Sequence, residues 1–197
     1  MAEPQRTDPH GLFPDHPVRT PRLDLRPHRA EDLEDLLVFH GDPEVTRHLP
    51  WPVRDREQTR AALDVKLTQG VLPAPGRWLV LAVELRETGH VVGEVLLKWA
   101  DQAARQGELG FVLSREHQGR GLAAEAAQAV LRLGFEDLGL HRTTAVCVAE
   151  NAASARLLRR LGMQQEGHLR ENVLLDGRWA DQLLFGLLAH EWRAGRR

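Results

Sequence analysis

The chain has 197 residues, 42% of them hydrophobic and 27% charged, with a formal net charge of -2. That is the make-up of one globular domain, too apolar to be disordered and without the basic excess that draws nucleic acid or an anionic membrane surface. The single cysteine, Cys147, excludes an internal disulfide and a cysteine-based zinc site, and no run approaches the roughly 20 apolar residues of a membrane span.

Taken in order, residues 1–20 are polar and rich in proline, with Pro4, Pro9, Pro14 and Pro17, and read as a flexible arm ahead of one domain over 21–192. The start has no apolar stretch like a signal peptide, so a cytoplasmic protein is expected. Arg22 to Arg26 alternates polar and apolar as a half-buried strand does. A helix is predicted from Ala30 to His40, and another from Arg56 to Gln69 with Asp55 and Gln58 as its capping box. Between them lies the stiff loop Leu49-Pro50-Trp51-Pro52. Trp78 to Leu85 and Val91 to Trp99 read as a hairpin, followed by a strand from Gly107 to Leu113. Next come a helix from Leu122 to Leu138, a strand from Arg142 to Val148 and a helix from Ala152 to Leu161, ended by Gly162. Gln164 to Leu175 and Arg178 to Leu188 flank Asp176-Gly177, a type I′ hairpin signal. The fold class is therefore α/β (α+β): one mixed, mostly antiparallel sheet of about seven strands.

The segment richest in chemistry is Ser114-Arg115-Glu116-His117-Gln118-Gly119-Arg120-Gly121-Leu122-Ala123. Two glycines stand where a strand ends and a helix begins, so the backbone can approach a ligand with no Cβ in the way. Free N–H groups at the positive end of the helix dipole suit a pyrophosphate, and Arg120 adds charge. A merely tight connection would look similar. So would a G-x-G-x-x-A dinucleotide loop, although five polar residues separate Leu113 from Gly119 where that fingerprint opens directly off its strand.

Gln118-x-x-Gly121-x-Ala123 resembles the acyl-CoA signature of the GNAT superfamily of N-acetyltransferases. The resemblance extends from Arg19 to Leu188 and is nearest to the branch that acetylates ribosomal-protein N-termini. Arg19-Thr20-Pro21-Arg22-Leu23 is similar to that branch's opening strand, Glu108-Leu109-Gly110-Phe111 to its fourth, and Asn151-Ala152-Ala153-Ser154 with Leu161-Gly162-Met163 to its N-x-x-S…L-G-F segment. It implies a GNAT fold with helices on both faces of the sheet. It also implies acetyl-CoA as co-substrate, an amine acceptor, direct attack in a ternary complex, and a monomer or homodimer.

By this resemblance the amides of Gln118, Gly119, Arg120, Gly121, Leu122 and Ala123 hold the pyrophosphate. The strand Phe111-Val112-Leu113 splays from its neighbour to admit the pantetheine arm, bonding it through Val112 or Leu113. Asn151 caps the next helix and reaches the cofactor, and Ser154 faces the departing sulfur. The chain has no tyrosine, so the tyrosine acid of many relatives is replaced by Ser154 or water. Glu108 is the expected base, acting through water. The glutamate that the ribosomal branch carries near the end of the sheet is Val173 here, which leaves that branch's substrate open. Trp51, Glu171 and Asp181 are candidate pocket residues, the last equally suited to a cross-strand contact, and no metal is expected. Two other readings remain at this point: a domain of this fold that binds acyl-CoA without chemistry, and a nucleotide-dependent oxidoreductase.

Overall fold

A computed structural model describes Leu12 and residues 14–195. Its elements are β1 (Val18–Arg19), β2 (Leu23–Arg26), α1 (Leu33–His40), α2 (Pro43–Thr46), α3 (Arg56–Lys66), β3 (Trp78–Leu85), β4 (Val91–Asp101) and β5 (Gln106–Leu113). After these come α4 (Leu122–Arg132), β6 (Arg142–Val148), α5 (Ala152–Arg160), β7 (Gln164–Leu175), β8 (Arg178–Leu188) and α6 (Ala189–Ala194).

Local chemistry accounts for the boundaries. Asp55 accepts from the Gln58 amide and the Gln58 side chain accepts from the Asp55 amide, which opens α3 as a capping box. Asn151 opens α5 by accepting from the Ser154 amide at 3.0 Å. Asp176 and Gly177 both have positive φ, as a type I′ turn requires. Helix α2 carries no periodic signal: its four residues are set by Asp42, which caps the Glu44 amide, and by Pro43 in the first turn. The residues expected to begin α1 form a 3₁₀ turn, Ala30–Asp32. The last turn of the long helix widens to a π turn over Leu133–Asp137.

The strands form one sheet of eight, in the order β1-β2-β3-β4-β5-β6-β8-β7. Only β5 and β6 pair in parallel; every other neighbouring pair is antiparallel. Leu33, Leu36 and Phe39 of α1 and Leu63 of α3 cover one face over Ala82 and Val112. On the other face α4 and α5 bury Leu122, Ala126, Val130, Ala155 and Leu158 against Leu109, Ala145, Leu183 and Phe185. Residues 1–11 and 13 of the expected arm lie outside the described residues. Of the rest, Leu12 and Val18 are buried, Leu12 bridges Leu72, and β1 pairs with β2.

A buried charge cluster ties α1 and α3 to the sheet. Glu94 of β4 is 1% exposed; its Oε1 lies 2.5 Å from Lys66 Nζ and 3.2 Å from His28 Nε2, and its Oε2 lies 3.7 Å from His40 Nε2. Burial pushes the Glu94 carboxyl up, but the nearby His28 and His40 rings and the Lys66 charge outweigh it and hold the group well below its ordinary 4.5. A carboxylate with a depressed folded pKa stabilises fully above its unfolded pKa and loses that contribution as pH falls. Stability to urea is therefore expected to fall steeply as pH drops from about 4.5 toward 2, and less steeply in Glu94→Gln. Superimposable profiles for the two proteins would mean that Glu94 is not the ionised centre of the cluster.

Candidate active site

The site begins as a defect in the sheet. β5 and β6 pair only at Gln106↔Arg142, Gly107↔Thr143 and Glu108↔Thr144, yet β5 runs on to Leu113 and β6 to Val148. Past Glu108 each strand keeps its outer partner: β5 stays on β4 through Leu113, and β6 stays on β8 through Val148. The two inner edges thus diverge into a wedge roughly 17 Å long, five residues at about 3.3 Å each. Backbone groups on such edges need partners.

Register decides which groups those are. The Ser114 amide donates to the Val92 carbonyl at 2.8 Å, and successive amides along a strand point to opposite edges. The amides of Val112 and Gly110 therefore point to β4, and those of Phe111 and Leu113 point into the wedge. Of the two residues expected to bond the arm, Val112 directs its amide to β4, whereas Leu113, like Phe111, directs its amide into the wedge. The Leu113 carbonyl is already bonded by Gln118 Nε2 at 3.0 Å, which folds the loop back onto the strand end. The Gln118 side chain thus shapes the loop from within.

Gly93 was not singled out from sequence, although an isolated glycine inside a strand signals close backbone approach. A Cβ there would run into the Val112 carbonyl oxygen and meet Leu113 Cα at 3.0 Å. Gly93→Ala is expected to displace the end of β5 and weaken cofactor binding more than it lowers the melting temperature of the free protein. Calorimetric titration beside thermal unfolding checks this.

At the open end of the wedge stands the glycine loop. Gly119 has φ 73° and Gly121 φ 79°, with Gly121 as N-cap of α4. Left-handed residues in close succession turn neighbouring N–H groups toward one side, a concavity suited to an anion. No side chain caps α4, so the first-turn amides around Leu122 and Ala123 keep their donors. Arg120 is exposed at the loop tip.

Glu108 belongs to the last β5–β6 pair and so marks the apex of the wedge. It pairs across β4 with Lys98, in step with Glu94↔Val112, which puts its side chain on the face covered by α1 and α3. It is half-buried, and among the described residues no hydrogen bond or ion pair engages its carboxylate. Ser154 lies on the opposite face, in the first turn of α5. It neighbours Cys147, whose thiol burial pushes up in pKa and which lies on β6 past its last pair with β5. The two proposed proton-handling groups thus flank the wedge from opposite sides of the sheet.

The remaining candidates divide. Trp51 is half-buried over α1: its ring centroid is 6.2 Å from that of His40, the Arg54 guanidinium stacks 5.0 Å above it, and its Nε1 is buried without a partner among the described residues. Asp181 accepts from His168 Nε2 at 2.6 Å and from the Glu171 amide at 2.8 Å, a cross-strand contact that shapes the bulge between Leu169 and Val173. Glu171 sits in that bulge with φ 49°, is exposed, and lines a surface cavity together with His168, Asn172 and Asp181. Among the described residues no three His, Cys, Asp or Glu side chains gather as metal ligands, and no helix is long and apolar enough to cross a membrane.

Known proteins share this fold. The family model described as an acetyltransferase (GNAT) domain matches residues 22–164. An uncharacterised N-acetyltransferase, p20 of Bacillus licheniformis, is 35% identical over 88% of this chain and 96% of its own length. The [ribosomal protein uS5]-alanine N-acetyltransferase of Escherichia coli is 36% identical over 45% of each chain. A solved RimL ribosomal L7/L12 α-N-protein acetyltransferase in complex with coenzyme A has the same fold, with a TM-score of 0.73 at 20% identity over 86% of this chain and 95% of the other. The diverging strands, the glycine loop and a match over most of the chain agree: this protein belongs to the GNAT acetyltransferase family and is an acetyl-CoA-dependent N-acetyltransferase.

Proposed function

We propose that the wedge takes the pantetheine arm of acetyl-CoA and that the acetyl group passes directly to a primary amine arriving from the α1–α3 face. One observation carries this reading: β5–β6 pairing stops at Glu108 and leaves two unpaired edges leading to a loop of free amides. The arm's amides supply the partners that those edges lack, bonding Phe111 and Leu113. The diphosphate lies on the amides from Gly119 to Ala123 with Arg120 beside it, and Asn151 borders the cofactor at the start of α5.

A thioester carbonyl held against a wedge-facing N–H is polarised by a donor that needs no reorganisation. The amine must attack uncharged. An α-ammonium titrates near about 7.7–8.0 and an alkylammonium near about 10.4, so a base matters most for the second and at low pH for both. Glu108, with no competing partner and on the acceptor face, takes the proton through water. The thiolate leaves on the Ser154 side, where the hydroxyl donates or water does; a thiol pKa near about 8.5 makes either sufficient. Trp51 lines the acceptor approach. The acceptor is a protein α-amine or a small amine, and the similarity to a ribosomal-protein enzyme supports the first.

Release of free thiol from acetyl-CoA, followed over a panel of α-amine peptides and polyamines, tests the reading. Turnover with one class and none without an amine is expected. Tight cofactor binding with no turnover on any amine would instead make the protein a binding module. Within the active enzyme, Glu108→Gln is expected to lower kcat/KM by about 100-fold, with the deficit largest at the acid end of the pH profile. A variant equal to the native enzyme at every pH would assign Glu108 to structure.

A further inference from the structure

Arg22 stands on the turn into β2, in the opening-strand segment and about one hundred residues from the glycine loop in sequence. The fold nonetheless lays it directly over that loop. Its backbone N–H donates to Glu125 Oε1 at 2.8 Å and its Nε to Glu125 Oε2 at 2.7 Å. Its Nη1 donates to the Arg120 carbonyl at 2.9 Å. Thr20 adds a third bond to Glu125 at 2.6 Å. Burial raises the Glu125 pKa, but the bonds from Thr20 and Arg22 outweigh it, so the carboxylate remains an ionised anchor in the first turn of α4.

That anchoring leaves one part of the guanidinium uncommitted. Among the described residues Nη2 has no partner, and a methyl group added to Gly121 would meet it at 3.5 Å. The free donor thus stands beside the left-handed glycine whose neighbours present their amides to an anion. Arginine presents several donors in a rigid fork, so a guanidinium fixed through Nε and Nη1 costs little further ordering when Nη2 binds phosphate. Its position is set by two elements at once, the turn before β2 and the first turn of α4.

The geometry points to Arg22 as a further cofactor-binding residue, a preset donor to the diphosphate of coenzyme A that also fixes the Arg120 carbonyl. This rests on the acetyl-CoA reading above and adds a ligand from outside the loop. Because the contact is to phosphate, it carries a signature that general loosening of the fold lacks. Arg22→Gln is expected to raise the dissociation constants of coenzyme A and of ADP by a similar factor, on the order of 10 to 50, and to make binding less dependent on salt. At saturating acetyl-CoA, kcat should stay within about twofold of native. Glu125→Gln, which loosens the anchor but keeps the guanidinium, is expected to lose less than Arg22→Gln.

Calorimetric titration of the full chain with coenzyme A and with ADP, at low and high salt, beside kcat measured at saturating acetyl-CoA, reads all of this. Native binding together with an Arg22→Gln constant within twofold of native overturns the proposal and leaves the cofactor reading intact. A loss for coenzyme A with none for ADP, or a matching fall in kcat at saturation, assigns Arg22 to general structure and also overturns it. Failure of the native protein to bind coenzyme A removes the cofactor reading, and this proposal with it.

Discussion

Gly121→Val is expected to raise the dissociation constant for coenzyme A by about 100-fold or more, equivalent to about 2.8 kcal/mol. Two effects combine. The N-cap of α4 sits at φ 79°, where a β-branched residue is strained by about 1–2 kcal/mol, so the loop tends to relax and turn its amides away from a common focus. Any side chain there also grows from the spot that the diphosphate would occupy, beside Arg22 Nη2. The fold itself should survive, because Gly121 lies at a surface turn and no core side chain packs against it. A melting temperature within a few degrees of native, with cofactor binding lost, is the expected pair of readings from thermal unfolding and calorimetric titration. Unchanged affinity would mean that the loop does not hold the phosphates.

Glu94→Ala is expected to have the largest effect on stability, a loss of about 3–5 kcal/mol. The carboxylate stands between the Lys66 ammonium and His28, whose pKa burial pushes down and the nearby Asp32 and Glu94 carboxylates raise overall. Removing the anion leaves buried cations without their counter-charge in the layer covered by α1 and α3. For a domain of this size the melting temperature should fall by about 6–20 °C. Removal of both partners in Glu94→Ala/Lys66→Ala should cost less than the sum of the single changes, since the second deletes the charge that the first strands. A single-variant loss under about 1 kcal/mol would show that solvent reaches the cluster. The cluster adjoins Trp51 through His40, so its loss is also expected to disturb the placement of that ring.

The parts of this protein that were legible in the sequence are those set by local chemistry. The caps at Asp55 and Asn151, the Asp176-Gly177 turn and the strand order around the glycine loop all follow from residues close together in the chain. What escaped depended on distant partners or short segments. α2 is four residues long and has no periodicity to detect. Glu94 in Val-Gly-Glu-Val reads as the solvent side of an alternating strand, and only the packing of α1 and α3 over that face turns it into a buried ion. Arg22 reads as an ordinary flank of the first strand until the fold closes it onto α4. The choice between Val112 and Phe111 as the wedge-facing amide is a matter of register between β4 and β5, which composition does not encode.

If the unpaired wedge and its glycine loop form an acetyl-CoA site, the thermal unfolding midpoint responds to excess acetyl-CoA and not to NAD, the control. A ligand at 100 times its dissociation constant adds about 2.7 kcal/mol of stability, which raises the midpoint of a chain this size by about 5–10 °C. That rise with acetyl-CoA and none with NAD is the expected result. No rise with acetyl-CoA, or a rise with NAD instead, would contradict the account of the wedge.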